Sequence, residues 1–479
     1  MKEIRNILFL QPAGGSLNFS PPLGLGYVAT YLKNRLPGIN PKIVDLSVEE
    51  TDLESLIDSF RPDIVGVTGT TTMAKDVRLL LERIRSHNSA IPIVLGGPHA
   101  TALKSEIFYL PIDFAVMGEG EETLFELITN LNGGHDLSEV DGLIYRRQDG
   151  SIVANKPRAL ITNIDNIPKI DWSLFRMDEY VVRGVIVSSR GCPYNCIFCS
   201  QPFGRSWRAH SPEYVFDVIK ELVDKYGLET VRFMDDNPLS DKERFGQICK
   251  LIIDNGYHEK VKIELNTGTR MDIVDRKLLV LLKQIGVRSI WFGLESAAPE
   301  VLKGMRKGIS LKNIREAIVL TRSAGLTMNA FITIGMPGDT YERSMETMKF
   351  VKRHKIGLTS ARLATPFPGT DLFDWVEKNG RWINKDYETW YWDRTRLAQP
   401  VSFDTEDFTK EERIKALNKW LGFGAFQLMR LAVHTSIWHG SPRNSIEFVM
   451  NNPGIMMDFI RNILGIPRYQ KKHAERARE

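Results

Sequence analysis

The sequence predicts an α/β fold in three parts. These are a doubly wound domain over 1–140, a partial (β/α)6 barrel over 181–370 and a small helical region over 371–479, with a hairpin and linker over 141–180 joining the first two. Three observations predict it. Short apolar runs alternate with amphipathic segments in two successive series, the pattern of strand–helix units on parallel sheets covered on both faces. In the first series Gly-rich turns follow the apolar runs and gather at one sheet edge, the edge where such folds bind ligands. No paired hairpins interrupt the second series, which favours a barrel.

In order, 7–10 (ILFL) is a buried strand that ends at Pro12, Gly14 and Gly15, and 23–32 is a helix entered through Pro21 and Pro22. Strands follow at 42–46, 63–68 (DIVGVT), 91–95 (IPIVL) and 114–117 (FAVM), with helices at 51–60, 74–86 and from Thr123. Residues 143–147 and 152–155, joined through Asp149-Gly150, carry a β-hairpin signature. Pro157, Pro168 and the stretch between them read as a linker. The second series has strands at 184–190, 230–235, 262–268, 288–294, 328–334 and 360–365. Beyond 371 the chain turns helical and aromatic, with Trp375, Trp382, Trp390, Trp392 and Trp420.

Composition excludes several functions. Of 479 residues, 43% are hydrophobic and 25% charged, which rules out wholesale disorder. Lys and Arg (63) exceed Asp and Glu (59) by only 4, too little for a nucleic-acid footprint. No apolar run approaches the ~18 residues of a membrane span, and the start MKEIRNILFL is too charged for a signal peptide. A cytoplasmic location is expected. The stretch 454–465 is apolar and followed by Lys471 and Lys472, so its alternatives are a helical core and a membrane-surface contact.

Three of the four cysteines lie in SSRGCPYNCIFC (188–199), as Cys192, Cys196 and Cys199 at C-x3-C-x2-C spacing directly after the first strand of the second series. A loop carrying Pro and Gly can wrap three thiolates round one compact site. Soft thiolates select zinc, copper(I) or iron–sulfur. Structural zinc wants a fourth ligand, for which His210 is the local candidate. Three thiolates on a four-iron cluster leave one iron open. Cys249, on an amphipathic helix, reads as a buried thiol.

With Phe198 between the last two cysteines, the segment resembles the radical S-adenosylmethionine (SAM) enzymes. Later strand ends agree in order: FMDDN (233–237), WFGLES (291–296), FITIGMPG (331–338) and ATPFPGT (364–370). The resemblance implies a 4Fe-4S cluster held by Cys192, Cys196 and Cys199. It also implies SAM contacts from Phe198, Asp235, Asp236, Glu295, Ser296 and Gly335. Independent of the resemblance, Asp235 and Asp236 also fit helix caps, Glu295 a partnered barrel residue, and Gly335 a turn.

The first domain resembles the flavodoxin-like cobalamin-binding domain that precedes the barrel in one large radical SAM subgroup. The matching segments are PPLGLGY (21–27), VGVTGT (65–70), VLGGPHA (94–100) and MGEGE (117–121). The resemblance implies cobalamin contacts from Thr68, Thr70, Gly96, Gly97, Gly118 and Glu119. The Asp-x-His-x-x-Gly motif of many cobalamin proteins is replaced by QPAGG (11–15), so no histidine stands there. His99 is the nearest imidazole, and a domain without cofactor is the alternative.

Together these resemblances imply an enzyme that cleaves SAM to a 5′-deoxyadenosyl radical and takes hydrogen from an unactivated carbon. They imply a flavodoxin- or ferredoxin-type electron donor and a small-molecule or lipid substrate. C-methylation is the expected outcome. The alternatives are oxidative cyclisation or hydroxylation, as in anaerobic magnesium-protoporphyrin ester cyclase, and a cobalamin- or SAM-binding regulator.

Overall fold

A computed structural model describes residues 3–13, 20–390 and 399–438. The first sheet holds β1 (Asn6–Gln11), β2 (Asn40–Asp45), β3 (Ile64–Thr68), β4 (Ile93–Gly96), β5 (Phe114–Val116), β6 (Leu143–Arg146) and β7 (Ile152–Ala154). Their order is β2-β1-β3-β4-β5-β6-β7. The first five strands are parallel in the flavodoxin-like order, which reverses at β1/β3. Helices α1 (Leu23–Arg35), α2 (Leu53–Phe60), α3 (Ala74–His87), α4 (Pro98–Leu103) and α5 (Gly120–Gly133) connect them. Helix α5 starts three residues before the expected Thr123, because Glu121 and Glu122 in its first turn suit the positive end of the helix dipole.

The hairpin at β6–β7 extends this sheet: β6 pairs antiparallel with β5 through Phe114–Tyr145 and Val116–Leu143. The following segment is not a loose linker. Ile164, Ile167, Ile170, Trp172, Phe175 and Tyr180 are all buried, in one apolar core shared with Phe9 of the first sheet and Phe233 of the second. Apolar residues every two or three positions make it a strap that seals the two sheets together.

The second sheet contains β8 (Val185–Ile186), β11 (Thr230–Phe233), β12 (Lys262–Thr269), β13 (Ser289–Glu295), β14 (Thr327–Ile334) and β15 (Thr359–Leu363). All are parallel and lie in sequence order, so the barrel is partial, with β8 and β15 at its edges. The expected first strand, 184–190, is broken after Ile186. Ser189 and Arg190 turn off as β9 (Ser189–Arg190), which pairs antiparallel with β10 (Arg208–Ala209).

The covering helices are α6 (Pro212–Asp224), α7 (Lys242–Asp254), α8 (Arg276–Gln284), α9 (Pro299–Gly304), α10 (Leu311–Ser323), α11 (Tyr341–Arg353) and α12 (Asp371–Asn379). Ser211, Asp241, Asp275, Ser310, Thr340 and Thr370 cap six of them by accepting a first-turn amide. A small ribbon of β16 (Arg381–Trp382) and β17 (Phe403–Asp404) precedes α13 (Lys410–Trp438). Near it Trp382 and Trp390 stack with centroids 6.1 Å apart. No helix among the described residues is long and apolar enough to cross a membrane. Gly14, Gly15, Trp392 and the stretch 454–479 lie outside the described residues.

Candidate functional site

The cysteine loop starts where β9 leaves the barrel. Asp235, at the end of β11, accepts from the Ser188 amide at 3.0 Å, the Ser188 hydroxyl at 2.7 Å and the Ser189 hydroxyl at 2.6 Å. On the same stretch Arg244 donates to the Ser188 carbonyl at 2.7 Å. These bonds divert the strand and aim the next residues outward. Gly191 has φ +82°, and a Cβ there would stand 2.5 Å from the Ser206 carbonyl oxygen, so only glycine fits before Cys192.

The loop is then pinned from two sides. The Ile197 amide donates to the Met305 carbonyl at 3.1 Å, and the Leu372 amide donates to the Ile197 carbonyl at 2.8 Å. Ile197, Met305 and Leu372 share a small apolar core. Arg270 covers the Tyr194 ring at 3.6 Å and donates to the Lys307 carbonyl at 2.6 Å. The hydrogen bond from Cys199 draws the Cys196 thiol down to about 7, helped by the Lys307 and Arg270 charges, whereas burial pushes the Cys192 thiol up.

Three thiols on one loop suit a cluster. Among the described residues no three His, Cys, Asp or Glu side chains converge on one metal ion, and a cluster needs none, since each thiolate takes its own iron. His210 is committed elsewhere. Its Nδ1 lies 3.0 Å from Asp165, its ring stacks on Tyr214 at 3.9 Å, and burial pushes it down to about 4. Cys249 is fully buried in α7, and burial pushes its thiol up to about 12.

Two cavities flank the loop. The first, about 380 Å³, opens at the ends of β1, β3, β4 and β5 and is lined there by Gln11, Thr68, Gly96, Gly97, Gly118 and Glu119. Val187, Arg190, Pro202 and Phe203, from either side of the cysteines, close it from the barrel side. Among the described residues no histidine lines it, and His99 is buried beside Thr71 (3.2 Å) and the Tyr387 ring. The second cavity, about 270 Å³, gathers Thr72, Phe198, Thr333, Met336, Thr365 and Trp390. The first domain, the cysteine loop, the ends of β14 and β15 and the C-terminal region all contribute to it.

Several expected contact residues have their polar atoms engaged within the protein. Asp235 holds the cluster-bearing strand, as described. Glu119 lines the first cavity, yet it accepts from Arg190 at 2.9 Å, from Arg208 at 2.9 Å and from the Ile161 amide at 2.8 Å. Glu295, at φ +62°, accepts from Lys307 at 2.9 Å and Thr333 at 2.6 Å. The Ser296 hydroxyl meets Thr347 at 3.2 Å and the Ala298 amide at 3.1 Å. Gly335 packs under Arg413, and Thr70 bonds Thr72 at 2.8 Å outside the first cavity. Asp236 is the more accessible of the acidic pair; it accepts from the Gly191 backbone, and partial burial, with Asp235 nearby, holds its carboxyl above the ordinary range.

Sequence reasoning missed Arg190, Arg208, Arg270 and Lys307. Only Arg190 had a visible signal, its place two residues before Cys192.

The radical SAM superfamily matches residues 186–351, and the B12 binding domain matches residues 15–128. An uncharacterised methyltransferase of Pyrococcus horikoshii is 33% identical over 435 residues, covering 88% of this chain and 92% of that protein. The chain belongs to the cobalamin-binding radical SAM family. A second relative in this family is the anaerobic magnesium-protoporphyrin IX monomethyl ester cyclase of Rubrivivax gelatinosus, 29% identical over 77% of this chain and 69% of its own. The fold is shared with the radical SAM methyltransferase TsrM of Kitasatospora setae, solved with tryptophan and a SAM analogue. The TM-score is 0.68 at 20% identity, over 80% of this chain and 79% of that one.

The chain is a radical SAM enzyme, and its cofactors are a 4Fe-4S cluster, SAM and cobalamin. The residues present fit them. Three thiols sit on one pinned loop, and a glycine-edged cavity opens at the sheet's switch point.

Proposed function

We propose that this enzyme C-methylates an unactivated carbon of a small-molecule substrate. One observation carries the reading: the strand that delivers Cys192 also forms a wall of the first cavity through Arg190, so cluster and cobalamin sites share a partition. When bound, the cluster with SAM supplies a 5′-deoxyadenosyl radical, and cobalamin supplies a transferable methyl group.

The chain's own residues bind and orient these groups. Cys192, Cys196 and Cys199 hold the cluster. Asp236 and the backbone around Phe198 would contact SAM. Thr68 would offer its hydroxyl, and Gly96, Gly97 and Gly118 would leave room, for the cobalamin tail. Phe198, Met336, Phe367 and Trp390 give the second cavity apolar walls beside the polar Arg362 and Gln399. An electron donor of the flavodoxin or ferredoxin class and a cytoplasmic location complete the reading. Contact with a membrane surface would fall to 454–479.

The test uses anaerobically reconstituted protein and SAM with a deuterated methyl group. The expected product carries the label, and a product without it sinks the transferase reading. Oxidative cyclisation is the second reading, favoured by the likeness to the Rubrivivax gelatinosus cyclase. It predicts unlabelled product with deoxyadenosine still formed. Replacing Cys192, Cys196 and Cys199 by alanine is expected to abolish iron binding and deoxyadenosine release under both readings.

A further inference from the structure

Arg190 belongs to the barrel chain but spends its side chain in the first domain. Its Nη1 donates to Glu119 at 2.9 Å and its Nη2 to Glu121 at 2.6 Å. The guanidinium lies 5.1 Å from the Tyr27 centroid and 5.6 Å from that of Phe203. Its side chain is 4% exposed, and those of Glu119 and Glu121 are 2% and 4% exposed. Arg208 of β10 donates to both oxygens of Glu119, and the Ile161 amide of the strap adds another bond. Two arginines and two glutamates thus meet where the cluster strand, its β10 partner, the strap and the first turn of α5 converge.

Burying such a set of charges is seldom the most stabilising use of a core, since packed apolar residues of equal volume do as well or better. What fixed ion pairs give in return is register, through bonds that close in one geometry only. That geometry falls between the two cofactor sites. Gly118 and Gly120, lining the first cavity, flank Glu119, and Cys192 lies two residues beyond Arg190. On the barrel side Ser188 and Ser189 are held by Asp235 and Arg244, so the strand has little freedom to yield.

We propose that Arg190 is a positioning residue that sets the cobalamin cavity in register with the cluster loop, so that methyl donor and deoxyadenosyl group meet the same substrate carbon. The proposal rests on the methyl-transfer reading and adds to it a residue that touches neither reacting atom.

The test uses full-length, anaerobically reconstituted protein with Arg190→Lys, Arg190→Met and Glu121→Gln. Methylated product and deoxyadenosine are counted in the same reaction. A small misplacement of reacting groups costs up to about a hundredfold in rate, so product per deoxyadenosine should fall by about tenfold or more in Arg190→Met and less in Arg190→Lys. Product and deoxyadenosine falling in proportion, or a ratio equal to wild type, would overturn the proposal. Hydrogen exchange on the cofactor-free protein is the second readout. Segments 119–124 and 185–190 should both exchange faster in Arg190→Lys and in Glu121→Gln. Faster exchange in one segment alone, or in neither, also overturns it. If the wild type makes deoxyadenosine but no labelled product, the methyl-transfer reading fails, while the exchange data still decide whether Arg190 couples the two sites.

Discussion

Arg413 of α13 donates through Nη1 to the carbonyl oxygen of Gly335 at 3.1 Å, tying the C-terminal helix to the end of barrel strand β14. Arg413 is buried between Phe403, 4.3 Å from its guanidinium, and Phe408, and also donates to the Phe408 carbonyl at 2.9 Å. Gly335 lies at φ +86°, and a Cβ there would stand 2.3 Å from Arg413 Nη1. Gly335→Ala is therefore expected to destabilise the protein by roughly 1–3 kcal/mol, since backbone strain and a displaced buried arginine act together. Denaturant unfolding of the cofactor-free protein measures it, and a midpoint equal to wild type would show that the arginine moves aside freely.

Glu295 and Lys307 form a buried pair, with side chains 9% and 6% exposed. Glu295→Gln strands the ammonium group in the core and should cost about 3–5 kcal/mol, with a smaller loss in the double variant Glu295→Leu, Lys307→Met. Should Glu295 act chiefly as a SAM contact, the single variant would keep its unfolding midpoint and lose SAM affinity in equilibrium dialysis.

Arg270 lies flat over Tyr194 inside the cysteine loop. Lysine keeps the charge but loses the planar stack and the fork that also pairs Asp272. In Arg270→Lys the iron and sulfide retained after reconstitution should fall, while the far-ultraviolet spectrum stays unchanged. Wild-type iron content would show that the stack does not hold the loop.

His99 carries a pH dependence of known sign. Burial pushes its folded value down to about 4, below the ordinary 6.5, and its Nε2 has no hydrogen-bond partner among the described residues. Between those values the unfolded chain binds a proton that the folded chain refuses. The stability concerned is present above pH 6.5 and is lost as pH falls toward 4. His99→Phe should lose less stability than wild type between pH 7 and pH 5, read as melting temperature at each pH. Parallel curves would place the acid sensitivity elsewhere.

Much of this architecture could be read from the sequence because apolar periodicity and Gly-rich turns are local signals. The parallel strands and the cysteine loop fell where the sequence put them. What escaped was long-range. The break after Ile186 depends on Asp235, 47 residues beyond Ser188, and no local pattern marks it. The strap over 157–180 reads as a linker because Pro157, Pro168 and its polar residues mask an apolar spacing that matters only against two sheets at once. At the site, the resemblance implied ligand contacts for Glu119 and Glu295, while the residue-level reading kept a partnered barrel residue open for Glu295, which is what the structure holds. Their arginine and lysine partners lie on other elements, so those ion pairs became visible only with the fold.

Among the described residues the barrel is not closed, and β15 ends it with one side unpaired to any strand. Helix α13 runs down that side, from Arg413 at the top of β14 to Gln427, whose Oε1 accepts the Thr359 amide at 3.0 Å while its Nε2 reaches the Gly357 carbonyl at the bottom. Gln399 does the same at Leu363, accepting its amide at 2.7 Å and donating to its carbonyl at 3.1 Å, so two glutamine side chains stand in for a neighbouring strand. A chain shortened before Lys410 would bare the Thr359 end of that β edge, a template for sticking to further copies of itself.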